Sequence, residues 1–539
     1  MIWPMQKPRN DMDTILSYRS GSPERKTLLA EIEKIKSRSE EIPLIIGGKE
    51  VKSGETIEVK APHDHSLVLA TAHLAGEAEL KQAIDSALAA HEAWANMDWY
   101  HRAAIFRKAA DLLAGPARIR NIAAIMLNMS KTPFEAEIDL AEMVDFLRFN
   151  ANYMRFIYEQ QPDQAPGELN RFDWRPLEGF VLAIPPFNFY SIGGNLPTAP
   201  AMVGNVALWK PSRSVAFANY EIMKLLLEAG LPEGVINFVP FSSKYSDLVL
   251  KHRDFAGLHF TGSYDTLTKL WKTIGDNLGN YKNFPRIVGE TGGKDFIVAH
   301  SSADVRNLVV NIIRGGFEYQ GQKCSAVSRV YIPESMWGEA KEMLTAELKK
   351  VTYGSVDDLS HFMGAIITEE AYNKIVSYID YAKANPKEYE IVYGGGYDAS
   401  TGWFVEPTVI KTTAPDGKLI CEEIFGPVVT VYVYPDDQFE ETLRLCDSAT
   451  VYGLTGSIFA RDRQAILTAE RVLRYAAGNF YINDKPTGAI VARQPFGGAR
   501  SSGTNDKAGS WLNLLRWLNP RTIKETTLPF TDWRRPYQF

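Results

Sequence analysis

From residue 179 to about residue 290 the chain alternates between short apolar runs and amphipathic stretches. The apolar runs predict strands over 180–184, 206–209, 235–239, 258–261 and 286–288. A helix predicted over 220–228 ends before Gly230 and Pro232, and another begins near Thr266. Alternation of this kind is typical of parallel strands joined by helices, so we predict an α/β fold with a largely parallel sheet.

Amphipathic spacing before this region predicts three helices and one short strand. The first helix has Pro23 in its first turn, and its apolar positions are Leu28, Leu29, Ile32 and Ile35. A strand over 44–46 follows. The second helix is indicated by Leu80, Ala83, Ile84, Ala87, Leu88 and Trp94, and the third by Ala104, Ile105, Lys108 and Leu112. Further on, 293–502 is predicted to form a second α/β region, and 521–527 is strand-like.

The composition is that of an ordinary globular protein. Of the 539 residues, 45% are hydrophobic and 23% are charged, which excludes a disordered or fibrous chain. The net charge of −6 argues against a nucleic-acid partner, because phosphate backbones are bound by clustered Lys and Arg. The three cysteines, at positions 324, 421 and 446, fit neither a disulfide framework nor a zinc site, and so indicate a reducing compartment.

Neither a targeting segment nor a membrane span is predicted. The segment 1–13 has no apolar run and carries acids early, unlike a secretory signal or transit peptide, so we expect a cytoplasmic protein. One charge-free segment, 179–209, is long enough to cross a bilayer. Its four prolines and three asparagines would break a spanning helix, so we predict a buried segment of a folded domain.

Three residues are candidates for chemistry, and each also has a plainer interpretation. Cys324 lies in a turn of small and polar residues, where a thiol can attack an electrophile if its pKa is lowered, yet most lone cysteines are buried and inert. Glu290 ends a predicted strand just before two glycines that permit a ligand to approach the backbone, but a solvated loop acid is the commoner interpretation of such a residue. Asn188 follows two prolines and is compatible with a simple turn.

Seven short motifs in a fixed order form a much more specific pattern. They are Pro186-Phe187-Asn188, Trp209-Lys210-Pro211-Ser212, Phe260-Thr261-Gly262-Ser263, Glu290 with Gly292-Gly293-Lys294, Gly321-Gln322-Lys323-Cys324, Glu422-Glu423-Ile424-Phe425-Gly426-Pro427 and Gln494-Pro495-Phe496-Gly497-Gly498. Together they resemble the aldehyde dehydrogenase superfamily, and the resemblance extends from about residue 42 to residue 526.

The resemblance implies a Rossmann-type cofactor domain, an α/β catalytic domain and a small β oligomerisation element. On this sequence we expect an N-terminal helical arm over 1–42 and a dinucleotide-binding domain over 43–160 and 178–290. The catalytic domain is expected over 291–502, and the oligomerisation element with the C-terminal tail over 161–177 and 503–539. A homo-oligomer, a dimer or larger, is therefore expected.

The same resemblance implies that an aldehyde is oxidised to a carboxylic acid through a cysteine thioester, with no metal. Cys324 would be the nucleophile, and the oxyanion would be held by the side-chain amide of Asn188 and the backbone N–H of Cys324. Glu290 would activate the water that hydrolyses the thioester. The presence of this base favours water over coenzyme A as the acyl acceptor.

The cofactor implied is NAD, although no G-x-G-x-x-G motif follows the relevant strand and the site therefore depends on the family pattern. Gly262 and Ser263 would meet the pyrophosphate at a helix start. Lys210 would hold the adenosine ribose and Glu423 the nicotinamide ribose. The other expected cofactor-binding positions are Pro185 and Phe425. Arg213 lies where NAD-preferring relatives often have an acid, so NADP stays open as an alternative.

Five further segments, 21–25, 478–485, 487–491, 494–500 and 502–507, resemble the branch of the superfamily that oxidises L-glutamate γ-semialdehyde. This amino-acid semialdehyde is in equilibrium with 1-pyrroline-5-carboxylate, and its oxidation to L-glutamate is the second step of proline breakdown. The expected substrate-binding residues are Ser325, Gly488, Ala489, Phe496, Phe189 and Glu142. Many relatives have Ser at position 489, so the anchor here would depend more on backbone N–H groups.

Two other functions stay open at this point. One is oxidation of a different semialdehyde, such as succinic semialdehyde, and the other is a non-catalytic binding protein on the same fold. An assay for reduced cofactor tests the non-catalytic role, and a panel of aldehydes in the same assay distinguishes the substrates. The chain has no extra length for a flavin-bearing proline dehydrogenase, so such a partner is expected to be a separate protein.

Overall fold

The computed structural model describes residues 7–539, in which two seven-stranded sheets provide the framework. In spatial order, the strands of the first sheet are Arg286–Glu290, Phe255–Thr261, Phe180–Ile184, Val206–Trp209, Ile236–Phe238, Leu44–Ile46 and Lys49–Val51. Those of the second sheet are Tyr389–Tyr393, Thr408–Thr412, Val428–Tyr434, Val327–Pro333, Asp295–Ala299, Thr455–Phe459 and Asn479–Ile482. Most neighbours are parallel, with antiparallel strands only at one edge of each sheet.

The predicted α/β fold and the five strands between 179 and 290 are confirmed. Every residue of Val206–Trp209 is buried, because a parallel strand is covered on both faces and so reads as a continuous apolar run. The helix predicted over 220–228 spans Ala216–Ala229 and ends at Gly230, whose φ of 98° is the left-handed conformation that glycine adopts freely.

Helices cover both faces of the second sheet. Along Asp295–Ala299, Ile297 and Ala299 pack with the helices Val305–Phe317 and Glu334–Leu348. The alternate residues Phe296 and Val298 belong to the cluster on the other face. Successive side chains of a strand point to opposite faces, so this one short apolar strand contributes to two cores.

The α-helices are Pro23–Lys36, Glu77–Asn96, Trp99–Ala114, Arg118–Met129, Pro133–Tyr158, Tyr190–Met202, Ala216–Ala229, Ser246–Leu250, Tyr264–Asp276, Val305–Phe317, Glu334–Leu348, Glu369–Ala384, Lys418–Cys421, Phe439–Ser448, Arg463–Val472 and Trp511–Leu515. The prediction for the third helix was wrong about its buried face. Phe106 and Ala109 are buried there, whereas Ala104 and Lys108 are exposed. Because the prediction counted Lys108 among the apolar positions, it placed the buried face on the wrong side of the helix.

The helix Tyr190–Met202 lies within the charge-free segment, where the sequence predicted no helix. It contains Pro197 and Pro200, and a proline leaves the carbonyl four residues earlier without its helical partner. For Pro200 that carbonyl belongs to Leu196, and its oxygen accepts a hydrogen bond from Nδ1 of the buried His259 at 2.8 Å. The neighbouring strand thus supplies the donor that the proline removes, a tertiary contact that local pattern does not reveal. The segment is buried, as predicted.

Within the described part of the chain, four smaller sheets complete the architecture. One has the strands Glu40–Ile42, Asp64–Leu74 and Glu55–Ala61, and the two-stranded ones pair Tyr397–Asp398 with Phe404–Val405, Tyr452–Gly453 with Ala499–Arg500, and Glu168–Pro176 with Leu518–Thr526. The last pair connects the two segments predicted to form the oligomerisation element, but the domain bounds themselves stay predictions. Residues 1–6 of the predicted arm lie outside the described residues. Within 7–539 no helix is long and apolar enough to cross a membrane.

Candidate active site

A cavity of about 190 Å³ brings most of the predicted catalytic and substrate-binding residues together. Cys324 and Glu290 both line it. All six positions expected to bind substrate line it as well, namely Ser325, Gly488, Ala489, Phe496, Phe189 and Glu142. The two phenylalanines are only partly buried, so they are walls of the cavity rather than parts of the apolar core.

The turn before Cys324 is held in a conformation that most residues avoid. Tyr319, Gln320 and Gly321 have φ values of 53°, 54° and 64°, in the left-handed region. The Gln320 amide fixes the turn to the segment 364–365, donating from Nε2 at 2.8 Å and accepting at Oε1 at 2.9 Å. A side chain on Gly321 would clash with the backbone carbonyl of Gly426. The position of the thiol is therefore set by long-range contacts.

Asn188 lies beside the turn that carries Cys324, although it does not line the cavity itself. Its Nδ2 donates to the backbone carbonyl of Gln322 at 3.0 Å, and the side chain is buried. An amide nitrogen carries two hydrogens, so this bond fixes the side chain while leaving one N–H for another acceptor. Asn188 and the backbone N–H of Cys324 are thus two neighbouring donors.

A buried ion pair positions the segment that carries Asn188. The Asp139 carboxylate accepts the backbone N–H groups of Tyr190 and Ser191, both at 2.9 Å, and so caps the start of the following helix. Lys131 donates to Asp139 at 2.6 Å, and both side chains have no exposed surface. The ammonium of Lys131 also lies 4.3 Å from the centre of the Phe189 ring.

Glu290 ends its strand at the cavity, as the sequence predicted. Its Oε2 accepts the backbone N–H of Gly498 at 3.3 Å, and a Cβ on Gly497 would lie 3.0 Å from Oε1. The two glycines therefore let the backbone approach the carboxylate closely. Burial raises the pKa of Glu290 well above its usual value, and the Asp506 charge adds to this rise.

The Cys324 thiol is not activated in the protein alone, contrary to the condition that the sequence analysis set for attack. Burial raises its pKa well above the ordinary value, and the carboxyl groups of Asp295, Glu290 and Glu423 raise it further. The thiol would ionise to the thiolate more readily only if positive charge entered the site. A cationic group bound beside the thiol would provide that charge.

The predicted cofactor residues follow the ends of adjacent strands. Pro185, Lys210 and Gly262 come directly after three neighbouring parallel strands, and Glu290 ends the next strand along. The carboxyl ends of parallel strands share one edge of a sheet, which is where ligands bind in α/β folds. Ser263 is exposed at the start of the helix Tyr264–Asp276 and caps it, with its Oγ accepting the N–H of Thr266 at 3.3 Å.

Glu423 and Phe425 reach this edge from the second α/β region. The Glu423 carboxylate accepts the N–H of Gly293 at 3.0 Å, and a Cβ on Gly292 would clash with it. Phe425, with a φ of 62°, packs edge-on against Phe187 at 5.7 Å between ring centres. The two residues therefore lie between the predicted dinucleotide edge and the loop that follows Glu290.

The residues at this edge fit a dinucleotide. The Lys210 ammonium has no acidic partner within the described chain, and burial, with the nearby charge of Arg213, lowers its pKa to about 8. A buried amine of this kind needs acceptors, which ribose hydroxyls provide. The exposed helix start at Ser263 offers backbone N–H groups and a favourable dipole to a pyrophosphate. Among residues 7–539, no group of three or more His, Cys, Asp or Glu residues could hold a metal ion.

Part of the cavity wall is polar. Ser325 Oγ and Thr487 Oγ1 are 2.8 Å apart, and Gly488 has a φ of 89°. Ser191 Oγ donates to Glu142 Oε2 at 2.8 Å. Burial raises the pKa of Glu142 to about 8, with a further contribution from the negative charge of Asp139.

Several residues that shape this site were missed by the sequence analysis. Asp139, Lys131, Gln320 and Gln322 act on backbone groups that are far away in the sequence. Gln322 Oε1, for example, accepts the N–H of Ile367 at 3.0 Å. No local motif marks such contacts, and only a surplus of polar residues in otherwise buried stretches hints at them.

Comparison with known proteins identifies the class of enzyme to which this fold and site correspond. The sequence pattern of the aldehyde dehydrogenase family matches residues 50–523, which is most of the chain. The chain belongs to the aldehyde dehydrogenase family.

Individual relatives show which members of the family this chain is similar to. The mitochondrial delta-1-pyrroline-5-carboxylate dehydrogenase of Dictyostelium discoideum is 51% identical over 97% of this chain and 94% of its own length. The enzyme of the same name from Homo sapiens is 45% identical with the same coverage. The delta-pyrroline-5-carboxylate dehydrogenase from Mycobacterium tuberculosis, solved bound with NAD, is 48% identical with a TM-score of 0.96. That comparison covers 100% of this chain and 99% of the other.

Proposed function

We propose that this chain oxidises L-glutamate γ-semialdehyde, the open form of 1-pyrroline-5-carboxylate, to L-glutamate with NAD as the hydride acceptor. This reaction is the second step of proline breakdown. The observation that carries the proposal is the cavity that Cys324 and Glu290 share, next to the strand edge where Lys210 lies. The relatives named as dehydrogenases of the pyrroline carboxylate support the choice of substrate.

In the first half of the proposed reaction, Cys324 attacks the aldehyde carbon. The carbonyl oxygen becomes an oxyanion, which the free N–H of Asn188 and the backbone N–H of Cys324 are placed to accept. When bound, NAD would supply a positively charged ring, which favours loss of the thiol proton to solvent, and a hydride acceptor, so that collapse of the oxyanion leaves the thioester on Cys324. Gln320 and Gln322 keep the attacking sulfur in place through their bonds to 364–367.

In the second half, water attacks the thioester and glutamate leaves. Glu290 is the group that would take the proton of this water, after losing its own proton to solvent. The bond from Gly498 holds one carboxylate oxygen, so the other is available to the water. The carbonyl carbon ends as a carboxylate, and the sulfur returns to the thiol.

The polar part of the cavity wall is proposed to bind the amino-acid end of the substrate. The backbone N–H groups of Gly488 and Ala489, with Ser325, would hold the α-carboxylate, and Glu142 would face the ammonium. Phe189 and Phe496 would flank the short aliphatic chain. An aldehyde that lacks the carboxylate and the ammonium can contact only the two phenylalanines.

A comparison of aldehydes in one assay for reduced dinucleotide tests the proposed substrate. We expect glutamate γ-semialdehyde to exceed pentanal, which has the same chain length, by about a hundredfold or more in kcat/KM. Each lost polar contact leaves a buried group unpaired at about 1–3 kcal/mol, and about 1.4 kcal/mol corresponds to a factor of ten. NAD is expected to be preferred over NADP in the same assay. Equal efficiency for the semialdehyde, succinic semialdehyde and pentanal would refute the assignment of substrate.

The pH dependence of product binding tests the role of Glu142. Its pKa of about 8 means that the carboxyl group is mostly neutral at lower pH and ionises as pH rises. Only the ionised form attracts an ammonium, and its fraction changes about tenfold per pH unit below the pKa. With pentanal as substrate, glutamate should therefore inhibit about tenfold or more tightly at about pH 8 than at about pH 6. Glu142→Gln should abolish this trend, and a trend that persists in the variant would contradict the role.

We further propose that the chain assembles with itself through the paired strands Glu168–Pro176 and Leu518–Thr526. The tail that follows carries exposed apolar side chains, with Phe530 87% and Trp533 82% exposed. Apolar surface of this kind favours burial against another chain.

A proline dehydrogenase that supplies the semialdehyde is proposed to be a separate protein. The cytoplasm stays the proposed location, although several relatives are named mitochondrial.

A further inference from the structure

Among the residues that the structure describes, four Lys and Arg side chains line the cavity, and three of them have partners. Arg314 Nε donates to Glu318 at 2.7 Å, and Lys323 Nζ lies 2.9 Å from a carboxylate oxygen of Glu135. Lys507 Nζ donates to three oxygens at distances of 2.8, 3.0 and 3.2 Å. Within residues 7–539, the ammonium of Lys485 is the cavity-lining cation without a hydrogen bond or ion pair.

The backbone holds this lysine beside the loop proposed to bind the α-carboxylate. Its own N–H donates to Asn311 Oδ1 at 2.9 Å, which fixes the chain after the strand Asn479–Ile482. A Cβ on Gly488 would lie 3.1 Å from the Lys485 ammonium. The ammonium is therefore next to the Gly488 backbone, on the wall of the cavity.

The charges around Lys485 do not neutralise it by direct contact. Glu318 is the acid with the strongest influence on it, but that carboxylate already pairs with Arg314 and lies near Lys323. Burial lowers the pKa of Lys485, because an ammonium away from water is costly unless a partner compensates it. A carboxylate entering the cavity would supply the missing partner.

We propose that Lys485 binds the α-carboxylate of substrate and product, and so determines the preference for aldehydes that carry a carboxylate. The inference deepens the proposed function and depends on it. The ammonium and the Gly488 and Ala489 N–H groups would share one carboxylate. Charge-assisted hydrogen bonds of this kind are about twice as strong as neutral ones.

The test replaces Lys485 with methionine, which keeps the length and removes the charge, and with arginine, which keeps the charge. Glutaric semialdehyde has the chain and carboxylate of the natural substrate but lacks the ammonium, so it isolates this contact. The ratio of its kcat/KM to that of pentanal should fall about tenfold or more in Lys485→Met. Lys485→Arg should keep most of the ratio. Inhibition by glutamate should weaken in parallel with the ratio in the methionine variant.

The possible results separate this inference from the proposed function. If the unaltered protein does not prefer glutamate γ-semialdehyde over pentanal, the proposed function itself is wrong. If that preference exists but Lys485→Met leaves the glutaric semialdehyde ratio unchanged, only the inference is overturned. An equal loss in Lys485→Arg and Lys485→Met would also overturn it, because charge would then not matter. Lys485→Gln provides a second neutral variant should the methionine protein fail to fold.

Discussion

Replacing Cys324 with alanine is expected to abolish aldehyde oxidation. The thiol is the group in the cavity placed to bond covalently to the substrate, and without that bond no tetrahedral intermediate forms to release hydride. Loss of a catalytic nucleophile costs on the order of 10⁴-fold or more in kcat. Steady-state formation of reduced dinucleotide measures the effect, with glutamate γ-semialdehyde as substrate.

A second cysteine serves as the matched control for this variant. Cys421 is partly exposed but does not line the cavity, so Cys421→Ala should retain turnover. Cys324→Ala should still bind NAD, because the proposed dinucleotide residues at the strand edge are unchanged. Appreciable turnover by Cys324→Ala would mean that the assignment of the nucleophile is wrong.

Glu290→Gln is expected to separate the two halves of the reaction. Attack and hydride transfer do not need the carboxylate, so about one reduced dinucleotide per active site should appear in a rapid burst. Hydrolysis does need it, and loss of a general base costs about 10²-fold or more. Rapid mixing followed by steady-state measurement should therefore show a burst and then slow turnover.

Hydroxylamine provides the control for Glu290→Gln. It attacks thioesters directly, so its addition should restore turnover in the variant while changing the unaltered protein much less. Restored turnover would place the defect after acylation. Smooth and undiminished turnover without a burst would show that another group activates the water.

Much of the architecture could be predicted from the sequence, because parallel strands buried on both faces read as continuous apolar runs. The strands over 180–184 and 206–209 were predicted with the bounds that the structure has. The helix Tyr190–Met202 was missed, because its prolines argue against a helix locally and His259 compensates one of them from another strand. Local pattern carries no information about such a donor.

The candidate site, like the fold, could be predicted from the sequence only in part. Family motifs led to Cys324, Glu290 and the six substrate positions, and the structure brings all eight to one cavity. The raised pKa of Cys324 could not be predicted, since it depends on burial and on three carboxyl groups that other segments bring near. The isolation of the Lys485 ammonium is likewise visible only when the partners of its neighbours are known.

The most direct test of the account is the intact mass of Glu290→Gln after mixing with glutamate γ-semialdehyde and NAD. We expect a stoichiometric mass increase equal to one glutamyl group, located on the peptide that contains Cys324 and absent when NAD is omitted. Product formation without this adduct, or an adduct on any other residue, would contradict the account.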